Sequence, residues 1–153
     1  MFTGLRAFLV CMVTFGVFIS APVLAGDVDD LKATFEKAVM AYNSHDDAFF
    51  GAVHDTTVYY PPTSPFAIKG KAAQQKSVKG VWAAMESTAF EPINAQFLVS
   101  GSTGVVWGHY ALAMKLKDGP MRTAFGRFTV TCAKTDGKWL VVSSHYSAVP
   151  SGN

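Results

Sequence analysis

The second half of the sequence contains four long segments in which apolar and polar residues alternate. They cover roughly residues 90–100, 105–116, 122–134 and 139–148. Alternation is typical of β-strands, whose successive side chains point to opposite faces. Only short glycine-containing turns separate the segments, at 101–104, 117–120 and 135–137. Because such turns join neighbouring antiparallel strands, the pattern predicts an antiparallel meander.

Two helices and a short strand are predicted near the start of the chain. Within residues 29–42 apolar residues recur at spacings of three and four, which predicts a helix capped by Asp29 or Asp30. Asp46 can cap a shorter second helix. Residues 56–60 are β-branched or aromatic and run into two prolines, which predicts a strand that ends in a rigid turn.

A third helix is predicted over residues 71–87, where the apolar residues again fall on one face. The chain therefore runs from helices through one strand and a helix into four long strands. This order predicts an α+β fold in which three helices of the N-terminal half pack on one face of a curved antiparallel sheet. We expect that sheet to close into a cone with a pocket.

The N-terminus has the pattern of an export signal. The first six residues carry a single positive charge, and residues 7–20 are almost unbroken apolar sequence. Val23 and Ala25 fit the positions that a signal peptidase reads, so we expect residues 1–25 to be removed by cleavage after Ala25. The apolar run is shorter than the roughly 20 residues of a membrane span, which favours a cleaved leader over an anchor. The mature protein would then be periplasmic or secreted, without stable membrane insertion.

The remaining residues, 26–153, suit a single domain and are nearly neutral. The full chain has 13 lysines and arginines against 11 acidic residues, and Arg6 lies in the leader. Balanced and scattered charge argues against nucleic acid as a partner. Cys132 would be the single cysteine of the mature chain, so no internal disulfide is expected. Its alternating strand context favours a buried structural thiol over a reactive one.

The sequence predicts no metal and no cofactor. Its four histidines, His45, His54, His109 and His145, are widely spaced and form no pair at helical spacing. No glycine-rich phosphate loop and no nucleophile elbow is present in the sequence.

Several passages resemble the NTF2-like superfamily. Residues 135–147 are similar to the terminal hairpin of its SnoaL-like members and of the association domain of calcium/calmodulin-dependent kinase II. Residues 119–123 resemble the strand before that hairpin, and residues 54–61 followed by Gly70 match the passage between the second and third helices. The resemblance covers most of residues 29–149. It implies the NTF2-like cone, in which dimers are common.

The superfamily alone does not define a function, because it includes isomerases, cyclases, dehydratases and binding domains. Its ketosteroid isomerases use a carboxylate base and a carbonyl-polarising tyrosine. In the passages that resemble theirs, Tyr60 stands at the position of the base and Ala38 at that of the tyrosine. A phenol is a poor base near neutral pH, so the carboxylate-driven chemistry of those enzymes is disfavoured here. No catalytic residue is assigned from the sequence.

Polar and aromatic residues of the strands are the candidate ligand contacts. Alternation puts His145 on the same side of the last strand as Trp139 and Val141, and Arg127 in the middle of its strand. An arginine in the pocket would bind a ligand carboxylate. His145 could instead bond to a neighbouring strand, and Arg127 could face an oligomer surface, leaving Arg122 as the pocket arginine. The predicted ligand-binding residues are Tyr60, Trp107, His109, Arg122, Arg127 and His145.

The leading hypothesis is an exported homo-oligomer, with a dimer expected, that holds a small, partly apolar ligand in its cone. The ligand would carry an anionic group where an arginine faces it. The alternative is an isomerase, cyclase or dehydratase that uses His145, His109 or Tyr60. A third possibility is an assembly module whose pocket is filled by side chains.

Overall fold

The computed structural model describes residues 25–149, so the predicted leader lies outside the described residues except for Ala25. Two α-helices, a short 3₁₀ helix and six strands make up this part of the chain. In chain order they are α1 (Ala25–Asn43), the 3₁₀ helix (Asp47–Ala52), β1 (Val53–Tyr60), β2 (Ile68–Lys69), α2 (Lys71–Ala84), β3 (Met85–Ser100), β4 (Thr103–Leu116), β5 (Met121–Thr135) and β6 (Lys138–Ala148).

The six strands form one sheet in the order β2-β1-β6-β5-β4-β3. The predicted meander is confirmed, because β3 to β6 pair as consecutive antiparallel neighbours. The short strand β1 joins this sheet beside β6 in the parallel direction, with Tyr59 opposite Ser144. A parallel neighbour requires a long crossover, and here α2 and β3 to β5 all lie between the two strands in the chain.

Among the differences from the prediction, two concern the helix boundaries and one concerns a strand that was not predicted. Helix α1 begins at Ala25, so Asp29 and Asp30 lie inside it and do not cap it. Helix α2 ends at Ala84, because the following residues pair with the far end of β4, where Met85 lies opposite Leu116. Strand β2 was not predicted, since its two residues are too few to show a periodicity. None of the helices in the described range is both long and apolar enough to span a bilayer.

The predicted cap of the second helix is confirmed. The side chain of Asp46 accepts a hydrogen bond of 2.8 Å from the backbone N–H of Ala48, which satisfies one of the free N–H groups at the helix start. The helix itself is a single short 3₁₀ segment. It carries Phe50, which is buried at 3% exposure, towards α2 and the start of β1.

The main core lies between α1 and one face of the sheet, which we call the inner face; the opposite face is the outer face. Leu31 of α1 is fully buried, and Phe35 stacks on Phe128 of β5 at 5.6 Å between ring centroids. A second cluster, between the 3₁₀ helix, β1 and α2, consists of Phe50, Val53, Val78 and Trp82. The helices therefore cover the inner face only, as the predicted fold requires.

Asn43, the last residue of α1, is hydrogen-bonded to the edge strand β3. Its Nδ2 donates to the carbonyl oxygen of Phe90 at 3.0 Å, and the N–H of Phe90 donates to Oδ1 of Asn43 at 2.7 Å. The amide thus satisfies the two backbone groups of Phe90 that face away from β4. These bonds fix the C-terminal end of α1 against the sheet.

Replacing Gly126 by alanine is expected to destabilise the fold. A Cβ at this buried position of β5 would collide with the carbonyl oxygen of Ser147 and with the ring of Tyr110. Overpacking of this kind costs about 1–3 kcal/mol. The measurement is the free energy of unfolding in urea.

Gly80→Ala is the matched control for Gly126→Ala. Gly80 is an exposed residue inside α2, and nothing lies within 4 Å of the position of its added Cβ. Alanine is the better helix former by about 1 kcal/mol, so this variant should be more stable than the wild type. Equal stability of Gly126→Ala and the wild type would contradict the close approach of Tyr110.

Candidate functional site

A cavity of about 270 Å³ lies inside the cone, between the helices and the inner face of the sheet. This volume is near the lower end of the roughly 300–1,000 Å³ that is typical of small-molecule sites. Its wall is mainly apolar, with residues that include Phe35, Val39, Val78, Leu112, Met114 and Val130. The pocket is thus open, in contrast to the filled pocket of the third hypothesis.

Four tyrosines from four different elements line this cavity. They are Tyr42 of α1, Tyr59 of β1, Tyr110 of β4 and Tyr146 of β6. The rings of Tyr59 and Tyr146 are 6.0 Å apart, and those of Tyr110 and Tyr146 are 5.9 Å apart. The sheet order explains part of this grouping, because Tyr59 and Tyr146 lie on neighbouring strands.

The phenols of this cluster are held in the protonated form. Burial is the main cause and raises the pKa of Tyr42, Tyr59, Tyr110 and Tyr146 above the usual value for a phenol. For Tyr42, Tyr59 and Tyr146, repulsion from neighbouring phenols raises the pKa further. Protonated phenols can donate hydrogen bonds, so the cluster offers donors to an oxygen atom of a ligand.

Two buried polar side chains in the cavity wall lack a hydrogen-bond partner among the described residues. Gln74 of α2 is 4% exposed and its Oε1 is unpaired; Ser144 of β6 is 3% exposed and its Oγ is unpaired. An unpaired buried polar group costs about 1–3 kcal/mol, so native structures rarely keep one without a reason. The side chains of Gln74 and Ser144 are both uncharged, and each has an atom free to bond to a ligand.

The cavity wall contains no aspartate, glutamate, histidine, lysine or arginine among the residues that the structure describes. His45 is outside the wall: its ring stacks on Trp82 at 5.4 Å between ring centroids, and its Nε2 is hydrogen-bonded to Oγ1 of Thr88 at 3.0 Å. Over residues 25–149, no three histidine, cysteine or acidic side chains come together as a metal site would require. The described wall thus contains neither a carboxylate nor an imidazole.

The structure places the six predicted ligand-binding residues outside this wall. Trp107, His109, Arg127, His145 and Tyr60 are exposed on the outer face, where His109 is opposite Arg127 and the rings of Tyr60 and His145 are 6.1 Å apart. Arg122 is also exposed, but it is opposite Met114, a residue of the wall. A ligand inside the cone would contact other side chains.

A β-bulge explains the wrong face predicted for His145. Between Thr131 and Cys132 the pairing of β5 with β6 shifts, so that Cys132 is opposite Val141 while Thr131 is opposite Ser143. The extra residue on β6 reverses the alternation. Val141 therefore shares the inner face with Ser144 and Tyr146, and His145 points outward.

A second hollow, of about 310 Å³, lies on the far side of α1 beside the 3₁₀ helix and the start of β6. Lys37 and Lys138 are on its rim, and most of its lining residues are small. It is more open to solvent than the cavity of the cone, and Nε1 of Trp139 is the unpaired buried polar atom among its described lining residues. The more enclosed cavity of the cone, with two such atoms in its wall, is the candidate site.

The sheet order, the helices on its inner face and the internal cavity define the class of NTF2-like proteins. Solved structures of this class superpose well. A candidate dehydratase of the NTF2-like family from Streptomyces avermitilis has a TM-score of 0.76 at 17% identity, covering 84% of this chain and 100% of the other. A ketosteroid isomerase-like protein from Erwinia carotovora atroseptica has a TM-score of 0.72 at 18% identity, with coverage of 84% and 100%.

A candidate calcium/calmodulin-dependent protein kinase II association domain from Xanthomonas campestris has a TM-score of 0.67 at 22% identity, covering 94% of this chain and 100% of the other. At these identities the likeness concerns the fold alone. The sequence matches the SnoaL-like domain family over residues 31–151, and the chain belongs to this family. No curated protein matches the chain in sequence.

The tyrosine cluster is expected to weaken the fold at alkaline pH. The unfolded chain releases phenolic protons near pH 10, whereas the folded chain retains them because burial raises the pKa of Tyr146 and its neighbours. Their contribution to stability is therefore complete below about pH 10 and decreases as the pH rises above it. Each such tyrosine adds a slope of about 1.4 kcal/mol per pH unit.

Tyr146→Phe should reduce that slope by about 1 kcal/mol per pH unit between roughly pH 10 and 11. The measurement is the free energy of unfolding in urea at a series of pH values. Tyr60→Phe, which removes an exposed phenol from the outer face, is the control. Equal slopes for the two variants would show that Tyr146 is not the buried group described above.

Proposed function

We propose that the protein is an exported, homo-oligomeric binding protein that takes up a small, mainly apolar molecule in its cone. The observation that supports ligand binding is the open, mainly apolar cavity with two unpaired polar atoms in its wall. A cavity of this kind favours an apolar molecule with one or two polar groups. The absence of any cation from the described wall residues argues against the anionic ligand that Arg122 or Arg127 would have bound.

An enzyme of the isomerase, cyclase or dehydratase type is the second candidate. The four protonated phenols favour it, because hydrogen-bond donors can stabilise charge that develops on a substrate oxygen. Similar folds carry the names dehydratase and ketosteroid isomerase-like. Against it, the wall offers no carboxylate or imidazole base among the described residues, and His145, His109 and Tyr60 are outside it. Ligand binding without catalysis requires no catalytic base, and it is therefore the function that we propose first.

Assembly is proposed to occur through the outer face of the sheet. Large apolar side chains are exposed there, with Leu98 at 55%, Trp107 at 41% and Phe125 at 58%. Several large apolar side chains exposed on one face of a sheet commonly mark an interaction surface. Trp107, His109, Arg127 and His145, predicted from the sequence as ligand contacts, would then contact a second copy of the chain.

The proposal that the protein is exported rests on the sequence of residues 1–25 alone. Their charged start, apolar run and small residues at 23 and 25 are the pattern that signal peptidase recognises. The protein would be periplasmic in a Gram-negative source and secreted otherwise. The intact mass of the exported protein tests this, because cleavage after Ala25 leaves a chain that begins at Gly26. A full-length chain retained in the cytoplasm would refute it.

Filling the cavity should abolish ligand binding. Ala124 of β5 lines the cavity, so Ala124→Phe is expected to lower the affinity for the neutral fluorescent probe N-phenyl-1-naphthylamine by about tenfold or more, equivalent to about 1.4 kcal/mol. Thr123→Phe introduces the same side chain at the neighbouring, exposed position of the strand. That control should bind the probe as the wild type does. Equal affinities of all three proteins would place the probe outside the cone.

A charge on the outer face should prevent assembly. Phe125→Glu is expected to convert the dimer to a monomer in light scattering coupled to size exclusion, because the carboxylate would be buried without a partner. Met40→Glu on α1 is the control, since Met40 is as exposed as Phe125, at 61% against 58%. A monomeric wild type would rule out the proposed oligomer, and dissociation of both variants would rule out this face.

A further inference from the structure

The polar atoms of the cavity indicate what kind of molecule it holds. Among residues 25–149, the unpaired buried side-chain atoms are those of Thr57, Gln74, Trp82, Trp139 and Ser144. Of these, only Gln74 and Ser144 belong to the cavity wall. The first belongs to α2 and the second to β6, two elements that border the cavity. Oε1 of Gln74 can only accept a hydrogen bond, whereas the hydroxyl of Ser144 can donate one.

We infer that the ligand is an uncharged, largely apolar molecule with a hydroxyl group that donates a hydrogen bond to Oε1 of Gln74 and an oxygen atom that accepts one from Oγ of Ser144. This inference rests on the proposed binding function. The two hydrogen bonds would remove the cost of leaving both buried side chains unpaired. An ether or ketone oxygen cannot donate, so it would leave Oε1 of Gln74 without a partner.

The uncharged state follows from the wall itself. A carboxylate that enters the cavity loses its hydration, and no lysine, arginine or histidine among the described wall residues compensates for this loss. The phenols of Tyr59 and Tyr146 are neutral, since burial holds their protons. Among the described residues, Arg122 is the cation whose strand partner, Met114, belongs to the wall. Its side chain is exposed at the start of β5.

The apolar part of the ligand would pack against aromatic rings. Phe90 and Tyr110 stack on one another at 5.2 Å, and Tyr146 meets both of them edge-on at 5.9 Å. Aromatic walls favour flat apolar rings through offset and edge-to-face contacts. A ring with one hydroxyl substituent therefore matches both the apolar and the polar part of the wall.

Three probes of the same shape separate the alternatives: 4-phenylphenol, 4-methoxybiphenyl and biphenyl-4-carboxylate. In titration calorimetry with the wild-type protein, 4-phenylphenol is expected to bind at least about tenfold more tightly than the other two, because a site built to pair a hydroxyl rejects analogues that lack it. Gln74→Met keeps the length of the side chain and removes its acceptor. It should abolish the preference for the phenol over the ether while leaving the affinity for the ether unchanged.

Ser144→Ala is the second variant; because a hydroxyl and an ether oxygen can both accept from Oγ of Ser144, it should weaken the binding of 4-phenylphenol and of 4-methoxybiphenyl alike and keep the preference between them. The comparison of phenol and ether in the wild type tests the inference if Gln74→Met does not fold. Equal binding of phenol and ether by the wild type would overturn the inference and leave the proposed binding function intact. Tightest binding of the carboxylate, lost in Arg122→Gln, would overturn it in favour of an anionic ligand. Failure of all three probes and of N-phenyl-1-naphthylamine to bind would overturn both the inference and the binding function.

Discussion

The attachment of α1 to the edge strand is the constraint on which the cavity depends. Asn43 satisfies both outward backbone groups of Phe90, so the end of the helix cannot move away from β3 without leaving those groups unpaired. Tyr42, the residue before Asn43, is thereby held over the inner face, where its ring meets that of Phe90 at 6.3 Å. Leu31 anchors the other half of the helix in the main core. The space between these two anchors is part of the cavity.

The interior of the cone is neutral although it is not wholly apolar. Tyrosine, glutamine and serine can enter a buried wall at a modest cost when they are paired, whereas a lone charge cannot. One arginine and two histidines, Arg127, His109 and His145, lie on the outer face, away from this wall. This separation makes the cone suited to selecting a molecule by shape and hydrogen bonding, with little contribution from ionic attraction.

Much of the fold follows from the sequence, because long alternating strands with short turns leave few possible arrangements. The faces of β4 and β5 also follow, and Tyr110 and Val130 lie on the sides that alternation gives them. The sequence left open which face of the sheet borders the pocket, and the side chains that line the cavity differ from the ligand contacts predicted from it. The bulge in β6 leaves no mark in the local pattern, and the parallel pairing of β1 with β6 is a contact between distant parts of the chain. Both are decided by tertiary packing.

The alternation along β5 has a consequence for how such a domain changes over evolutionary time. Ala124 belongs to the cavity and its neighbours Thr123 and Phe125 belong to the opposite surface, so one short stretch of codons encodes two surfaces in alternation. A point substitution alters one surface and spares the other. Lineages can therefore change the lining of the cavity while keeping the outer face, or change the outer face while keeping the cavity. The insertion of one residue into the strand, as in a bulge, would turn every later side chain of that strand to the opposite face.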